Sequence, residues 1–301
     1  ALSSAASDVY KRQIKKFGTH ICDFYIFICD TFNLLFILCR IFLVVKNRNT
    51  MKFLHCMKKI IILGNGPSLN EVDITNNSEY AFCTVNYSVL NDIFFKIRPQ
   101  YHTLADPAFF RDDNANIKSF YSVLETKIDW PMTLFIPQSA KNFVYDKIKN
   151  NKKINIMGYS PYNWEPKSNI YQNLKFFLYK KNMILPILAN VVIAATACAI
   201  NVGYKTIELY GVEHSWTKSM FVNNDNVLCL SDTHFYNPKE SAKPWYRIPG
   251  SKETFTMAEI LSALSLTFKS HEELQKYSQY LGNVKIINKT PNSFIDAYQR
   301  G

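Results

Sequence analysis

Short apolar runs that end in glycine, asparagine or proline recur along the chain. In the first of them, Ile-Ile-Ile-Leu at residues 60–63 is followed by Gly64-Asn65-Gly66-Pro67-Ser68-Leu69. A β-branched run this short is typical of a fully buried strand. Two glycines allow a sharp turn and close approach of the backbone to a ligand, and the serine is a good helix N-cap. The pattern predicts a strand, a glycine turn and a helix start, which binds nucleotide phosphate in many α/β proteins. An ordinary strand-to-helix turn would share the pattern.

Further apolar runs predict a parallel sheet. The predicted strands are residues 60–63, 80–86, 101–106, 133–136, 206–210 and 284–288. Connections of roughly 20–30 residues between the first strands leave room for crossover elements, which favours parallel pairing. We therefore expect an α/β fold, with a Rossmann-like, mostly parallel sheet and helices on both faces.

Three segments have helical patterns in the second half of the chain. Residues 184–203 are apolar and rich in alanine, and Gly203 then leads directly into a predicted strand. This order favours a helix buried against the sheet over a membrane span. Residues 253–282 repeat apolar positions at three and four, with glutamates early and Gly282 at the end. Residues 140–150 form a shorter predicted helix.

An apolar segment near the N-terminus, residues 21–45, also carries charges. Asp23, Asp30, Asn33 and Arg40 fall within one arc of about 100° on a helix, which predicts an amphipathic helix. Its longest uncharged stretch, residues 31–39, is too short to span a bilayer. Three basic residues follow at positions 46, 48 and 52, so we expect the helix to lie on an anionic membrane surface. A helix packed on the body, or an untranslated leader, would also fit.

The chain is predicted to divide into three parts. Residues 1–13 contain Asp-Val-Tyr-Lys-Arg-Gln, which resembles a translated sequencing adapter, so we interpret them as an assembly artefact. Residues 14–56 contain the amphipathic segment. Residues 57–301 form the predicted Rossmann-like domain, with an aromatic, proline-bounded lid segment near residues 155–182. The native start is expected upstream of the chain, or at Met51 or Met57.

Charge and cysteine content narrow the function class. The 301 residues have a net charge of +11, of which residues 1–56 supply +5, and no long basic run occurs. The balance favours an anionic small molecule or an anionic membrane over nucleic acid. Seven cysteines occur with no C-x-x-C pair, which indicates free thiols in a reducing compartment. We therefore expect a cytoplasmic protein, held peripherally on the inner membrane.

Polar residues follow the ends of several predicted strands. The carboxyl ends of parallel strands border the ligand crevice of an open α/β sheet. Asn65, Ser68, Asn86, Asp106 and the pair Glu213-His214 are therefore candidate pocket residues. A second histidine, His234, lies between polar and aromatic residues and is a candidate general base.

Five short motifs occur in order between residues 57 and 236. They are Gly64-Asn65-Gly66-Pro67-Ser68-Leu69, the strand-end Asn86, Asp106-Pro107 with Phe109-Phe110, Gly203-Tyr204-Lys205 with Gly211-Val212-Glu213, and Asp232-Thr233-His234-Phe235. Together they resemble bacterial cell-surface sialyltransferases of glycosyltransferase family 42, and the related Rossmann-like domain named for hydroxymethylpterin diphosphokinase. Residues 186–191 and 213–216 depart from the family pattern.

The resemblance implies an inverting, metal-independent glycosyltransferase that uses a nucleotide sugar, of the CMP-linked type, for a bacterial surface polysaccharide or lipooligosaccharide. It implies that His234 deprotonates the acceptor hydroxyl. The implied donor-binding residues are Gly64, Asn65, Gly66, Pro67, Ser68, Asn86, Asp106, Gly211, Glu213 and His214. The donor is a substrate, no cofactor is expected, and the acceptor would be a glycan or glycolipid. A homo-oligomer is compatible with this interpretation.

Two other functions fit the same residues. A pterin diphosphokinase-like transferase would need ATP and Mg²⁺, for which Asp106, Glu213 and Asp232 are candidate ligands. A nucleotide-binding module without catalytic activity could anchor a glycan-assembly complex through residues 21–45.

Overall fold

The structure, a computed structural model, describes residues 15, 22–40, 59–72, 74, 79–111, 114–231, 242–247 and 252–301. His234 and the adapter-like residues 1–13 lie outside the described residues, as does most of residues 14–56.

An eight-stranded parallel sheet forms the centre of the molecule. Its strands run in the order β11-β10-β6-β1-β2-β3-β4-β5. Their bounds are β1 Lys59–Leu63, β2 Ala81–Val85, β3 Tyr101–Thr103, β4 Met132–Pro137, β5 Ile154–Tyr159, β6 Thr206–Tyr210, β10 Lys285–Asn288 and β11 Gln299–Arg300. Every adjacent pair in this sheet is parallel. The α/β fold expected from the sequence is confirmed.

The strand order reverses at β1. From there the chain adds β2 to β5 on one side and returns with β6 on the other, so Ile61 lies between Phe82 and Glu208. A crevice forms at such a switch point, outside the carboxyl ends of the strands that diverge. A separate antiparallel sheet consists of β7 Met220–Val222, β8 Leu228–Leu230 and β9 Lys243–Pro244.

Helices cover both faces of the central sheet. They are α1 Cys22–Arg40, α2 Asp92–Ile97, α3 Ala115–Lys127, α4 Lys141–Ile148, α5 Gln172–Lys180, α6 Val191–Val202 and α7 Met257–Leu281. Because successive strand residues face opposite sides, Ile60 and Ile62 pack with α5, α6 and α7. On the other side, Leu134 and Ile136 pack with α2, α3 and α4.

The apolar run at residues 184–203 contains the buried helix α6. Asn190 caps its start by accepting the Val192 N–H at 2.8 Å, and Gly203 ends it with φ of 115°. Eleven of its twelve residues are buried, among them Ala195 and Ala197, whose small side chains allow close packing on the sheet. The predicted core helix is therefore confirmed.

The C-terminal helix α7 has the signals that its sequence showed. Thr256 and Glu259 form a reciprocal capping box, and Gly282 closes the helix with φ of 73°. On its buried side, Glu273 pairs with Lys175 of α5, a lysine that is 2% exposed. This ion pair joins α5 to α7.

The segment predicted to contain a lid, residues 155–182, includes a strand, a helix and residues of the core. It contains most of β5, which is the edge strand farthest from β11, and all of α5. Trp164 and Phe176 from this segment are buried in the core on one face of the sheet. The aromatic composition that suggested a lid therefore belongs to packed core residues.

Helix α1 binds the body through a few contacts on one side. Asp30 is buried and accepts the Ser168 N–H at 2.9 Å, while Thr31 and Tyr171 share a hydroxyl hydrogen bond at 2.6 Å. Phe27 stacks on Tyr171 with ring centroids 5.5 Å apart. The predicted helix is present, and one polar residue of its stripe faces the protein.

The opposite side of α1 is apolar and exposed. Its exposed large side chains are Phe24, Tyr25, Phe32, Leu35 and Phe36, at 53–68% of their accessible surface. By length and composition, α1 is the one helix among the described residues that could cross a membrane, a test that core helices and signal sequences also pass. The charge spacing in the sequence had argued against a span.

Candidate functional site

A cavity of about 170 Å³ opens at the switch point of the sheet. It lies at the carboxyl ends of β1, β2 and β6, next to the start of α6. The lining residues are Gly64, Asn65, Gly66, Pro67, Val85, Asn86, Asn190, Val191, Val192, Gly211, Val212, Glu213, His214, Ser215, Trp216, Ser219 and Ser231. Most of the predicted donor-binding residues therefore meet around one cavity.

The two glycines of the first turn bring strand ends together. The N–H of Gly64 donates to the Tyr210 carbonyl and that of Gly66 to the Gly211 carbonyl, both at 2.8 Å. A Cβ on Gly64 would overlap the Gly211 carbonyl oxygen. The sequence predicted that a ligand would lie close to the backbone of this turn. At Gly64 the close neighbour is instead the backbone of Gly211, which follows β6.

The carboxylate of Glu213 occupies the inside of the same turn. Its Oε1 accepts the Ser68 N–H at 2.8 Å, and a Cβ on Gly66 would overlap its Oε2. The Ser68 N–H predicted to face a phosphate is therefore already bonded to a carboxylate. The negative charge of the Glu213 carboxylate makes this part of the cavity unfavourable for a phosphate group.

Ser68 is not the N-cap that the sequence suggested. Pro67 takes the first position of a short 3-10 helix, Pro67–Glu71, because its fixed φ suits that position. Gly66 is the N-cap residue and makes no side-chain cap. Five residues of 3-10 helix give little of the aligned dipole on which the phosphate prediction depended.

Three hydrogen-bond acceptors at the ends of β1 and β2 have no partner. They are Asn65 Oδ1, Ser68 Oγ and Asn86 Oδ1, all buried and without a hydrogen bond among the described residues. An unsatisfied buried polar atom costs about 1–3 kcal/mol, so native proteins keep few of them. Of these three residues, Asn65 and Asn86 line the cavity, where a ligand that supplies hydrogen-bond donors would satisfy their Oδ1 atoms.

Two lining residues have strained backbone. Asn86 and His214, which follow β2 and β6, both have φ of 50° without being glycine. Asparagine and histidine tolerate this region better than most residues, but it still costs roughly 1–2 kcal/mol. Strain of this kind collects at functional sites, and here it directs the chain at two strand ends toward the cavity.

A buried hydrogen-bonded chain leads from the cavity into the core. His214 Nε2 lies 3.1 Å from His271 Nε2, and His271 Nδ1 lies 2.9 Å from the Tyr298 hydroxyl. Burial, with the neighbouring His271, lowers the pKa of His214 well below its usual value, and burial lowers the pKa of His271 to about 3. Both imidazoles are therefore neutral at pH 7.

The cavity contains little charge. Glu213 is the one charged residue in the described lining, which includes no lysine or arginine. Asp106 lies elsewhere and is exposed. It caps the short 3-10 helix Pro107–Phe110, which follows β3, by accepting the Ala108 N–H at 2.9 Å. Asp106 is therefore not among the described residues that line the cavity. The described residues contain no cluster of three or more His, Cys, Asp or Glu suited to a metal ion.

The sequence predicted the part of this site that follows the strand ends, but not the part contributed by α6 and α7. Beyond the predicted residues, the start of α6 and the Trp216 ring contribute, and His271 and Tyr298 support His214 from behind. Residue 271 lies within the apolar pattern of α7, so it resembles an ordinary core histidine in sequence. The N-cap Asn190 was the one local signal that marked the start of α6.

A second cavity of about 330 Å³ adjoins the first and shares Asn190 and Trp216 with it. Its remaining lining is Ala189, Trp245, Ile260, Ala263, Leu264, Leu266 and Thr267. The Thr267 hydroxyl donates to the Ala263 carbonyl at 3.1 Å, and Asn190 Oδ1 is bonded to Val192. The groups left to contact a ligand there are mainly apolar.

No protein-family model matches the sequence, and neither a curated protein nor a solved structure matches it.

Proposed function

We propose that the chain is a glycosyltransferase that takes a sugar from a nucleotide donor, of the CMP-linked type suggested by its motifs. The observation that carries the proposal is the pair of unpartnered acceptors Asn65 Oδ1 and Asn86 Oδ1, whose residues line the switch-point cavity. Sugar hydroxyls and the exocyclic amine of cytosine are donors that would satisfy them.

The acceptor-rich lining supports binding of the hydroxyl-bearing part of the donor rather than its phosphate. A carboxylate such as Glu213 is well suited to ribose or sugar hydroxyls, as in dinucleotide-binding sheets. The phosphate would need cationic or N–H donors from other residues. Residues 232–241 follow the lining residue Ser231 in the chain, and their sequence includes His234 and Lys239.

The second, apolar cavity supports an acceptor with an apolar portion. It adjoins the proposed donor cavity across Trp216, so two substrates bound in the two cavities would meet there. A glycolipid has both the hydroxyl that is glycosylated and the hydrocarbon that an apolar lining would bind.

The exposed side of α1 supports peripheral association with the cytoplasmic face of a membrane. Phe32, Leu35 and Phe36 project away from the body, while Asp30 anchors the other side of the helix to it. A helix held in this way would lie in the interface, because a spanning helix would carry Asp30 near the bilayer centre. The basic residues that follow in the sequence, Lys46 and Arg48, fit an anionic leaflet.

The diphosphokinase-like alternative has less support. Of its candidate Mg²⁺ ligands, Glu213 lines the cavity, Asp106 does not, and Asp232 lies outside the described residues. A nucleotide-binding module without catalysis stays the other alternative.

Thermal unfolding with and without nucleotides tests the proposal. CMP, UMP, ADP and GDP are compared at equal concentration, and the preferred nucleotide is then tested as its sugar conjugates for release of free nucleotide. Stabilisation by a pyrimidine nucleotide, weakened by Asn65→Ala but not by the control Asn173→Ala on the exposed side of α5, is the expected result. No stabilisation by any pyrimidine nucleotide contradicts the donor assignment. Binding without release favours the non-catalytic module.

A further inference from the structure

We propose that His214 accepts the proton of the hydroxyl that is glycosylated, and that His271 and Tyr298 are positioning residues that hold its ring. The inference deepens the proposed function and rests on it for the identity of the reaction. It departs from the sequence expectation, which assigned proton transfer to His234.

The position of His214 fits the role. It follows β6 at the switch point, lines the proposed donor cavity and, through Trp216, borders the apolar cavity that we assign to the acceptor. The Trp216 ring packs on the imidazole with centroids 4.5 Å apart. A base at this place would be between the two substrates, where the acceptor oxygen must approach the sugar.

The hydrogen bonds decide which ring nitrogen can act. His214 Nε2 is bonded to His271 at 3.1 Å, so Nδ1 is the nitrogen left for a substrate. A neutral imidazole has one protonated nitrogen. For the two Nε2 atoms to form a hydrogen bond, one of them must be protonated and the other must accept. When His271 Nδ1–H donates to Tyr298, His271 Nε2 is a lone pair and His214 must be protonated at Nε2. In this arrangement, His214 Nδ1 is unprotonated and accepts.

The reverse arrangement also satisfies every bond. If Tyr298 donates to His271 Nδ1, His271 donates from Nε2 and His214 bears its hydrogen at Nδ1. The two arrangements differ only in the positions of hydrogens along one chain. The direction of the hydrogen bond between Tyr298 and His271 is therefore coupled to whether His214 presents an acceptor or a donor to the cavity.

His214 takes up the acceptor's proton as the new glycosidic bond forms. The acceptor O–H bond breaks and its proton moves to His214 Nδ1, while the acceptor oxygen bonds to the anomeric carbon. The bond from that carbon to the donor phosphate breaks, and the phosphate leaves with the electron pair. The resulting imidazolium donates its Nε2–H to the lone pair of His271, which stabilises the charge.

The groups around the pair keep the His214 imidazole neutral, and so able to accept a proton, before the reaction. The described aromatic rings near the His214 imidazole are those of His271 and Phe268 from α7 and Trp216 from its own loop. The Glu213 carboxylate, one residue earlier, is held at Ser68. Tyr298 is buried behind His271, and burial raises the pKa of its hydroxyl well above the usual value, so it stays protonated.

Nuclear magnetic resonance tests the positioning without a substrate. The full chain is labelled with ¹⁵N-histidine, and long-range ¹H–¹⁵N correlation reports which ring nitrogens are protonated. Tyr298→Phe, which removes only the hydroxyl, should change the protonation pattern of the His214 ring, and the exposed control Tyr145→Phe should not. A His214 pattern that is the same in Tyr298→Phe and the wild type overturns the coupling to Tyr298.

Release of nucleotide from the preferred nucleotide sugar tests the catalytic role. His214→Ala should lower kcat by about 10²–10⁴-fold. Tyr298→Phe should lower kcat by about tenfold, the equivalent of one hydrogen bond, with little change in KM. A His214→Ala chain that folds and retains wild-type kcat overturns the assignment. If the wild-type chain releases no nucleotide from any sugar conjugate, the proposed function fails, while the resonance measurement still tests the His214-His271-Tyr298 chain.

Discussion

Gly66 and Glu213 fit against each other so closely that the space of a Cβ on one is filled by the carboxylate of the other. The glycine follows β1 and the glutamate follows β6, so their contact closes the switch point of the sheet. The carboxylate is further held by the Ser68 N–H at 2.8 Å. A glycine turn that resembles a phosphate cradle thus encloses an acidic side chain of the same protein.

Gly66→Ala should displace this carboxylate. The φ of Gly66 is −71°, which alanine adopts without strain, so the expected cost comes from the overlap with Glu213. We expect destabilisation of about 1–3 kcal/mol. Denaturant unfolding of Gly66→Ala, Glu213→Ala and the double variant measures the coupling. Additive effects of the two substitutions would show that the contact does not set the cost.

Two substitutions of Asn86 should affect the free energy of unfolding differently but weaken ligand binding alike. Its φ of 50° is accessible to glycine at no steric cost. Asn86→Gly should therefore unfold at a free energy close to that of the wild type, while Asn86→Ala should be about 1 kcal/mol less stable than Asn86→Gly. Both variants lack the unpartnered Oδ1 and should bind nucleotide more weakly. Equal affinity for nucleotide in Asn86→Gly and the wild type would exclude the side chain as a ligand contact.

Acid should destabilise the protein through three buried imidazoles. Burial lowers the pKa of His102 and His271 to about 3 and, with His271, lowers that of His214. The unfolded chain titrates near 6.5 and binds more protons below that pH. The contribution of these histidines to the free energy of unfolding is therefore complete above about pH 6.5. It falls as pH decreases, by up to about 1.4 kcal/mol per pH unit for each imidazole.

Urea unfolding at pH 7.5, 6.5 and 5.5 measures this dependence. Burial raises the pKa of Glu165, which contributes with the opposite sign at lower pH. His102→Gln removes one of the three imidazoles and should reduce the slope by about a third. A slope near zero between pH 6.5 and 5.5 would contradict neutral buried histidines.

Removing one partner of the buried pair Lys175 and Glu273 should destabilise the protein strongly, whereas replacing both with apolar residues should have a small effect. Lys175→Met leaves Glu273 with Lys276, whose side chain is 58% exposed. The expected loss in the free energy of unfolding is about 3–5 kcal/mol. The double variant Lys175→Met with Glu273→Leu should be much closer in stability to the wild type, because the carboxylate that pairs with Lys175 is removed as well. Equal losses in the single and double variants would refute this interpretation.

Membrane association should depend on the exposed side of α1. Phe32→Glu with Phe36→Glu places charge on that side, away from the contacts of Asp30. We expect co-sedimentation of the full chain with vesicles containing anionic lipid to fall at least tenfold, and high salt to weaken binding of the wild type. Phe177→Glu, on the exposed side of α5, is the matched control. Equal sedimentation of all three chains would argue against the proposed surface.

The sequence predicts the central strands well because they are buried on both faces and appear as continuous apolar runs. Edge strands lack this signal. Residues Asn155 and Gly158 interrupt the apolar run of β5, and β11 is two residues long, so neither strand was predicted.

The candidate site was predictable only where its residues follow strands. Asn86 comes directly after β2 and Glu213 three residues after the end of β6, so the switch-point rule placed them at the cavity. The contact of Glu213 with Ser68 depends on the pairing of β1 with β6, which aligns Leu63 with Tyr210. The meeting of His214 and His271 likewise depends on how α7 packs. Neither contact has a local signature in the sequence.

The order of the strands has a consequence for synthesis of the chain. β1 to β5 leave the ribosome before β6, so one edge of β1 lacks its native neighbour until Thr206–Tyr210 emerges. An unpaired edge of this kind invites pairing with other chains. Because Glu213 and His214 arrive with β6, the nascent chain cannot complete the cavity before that time. Ligand binding would therefore report that the long-range β1–β6 pairing, a slow step for a parallel sheet, has been achieved.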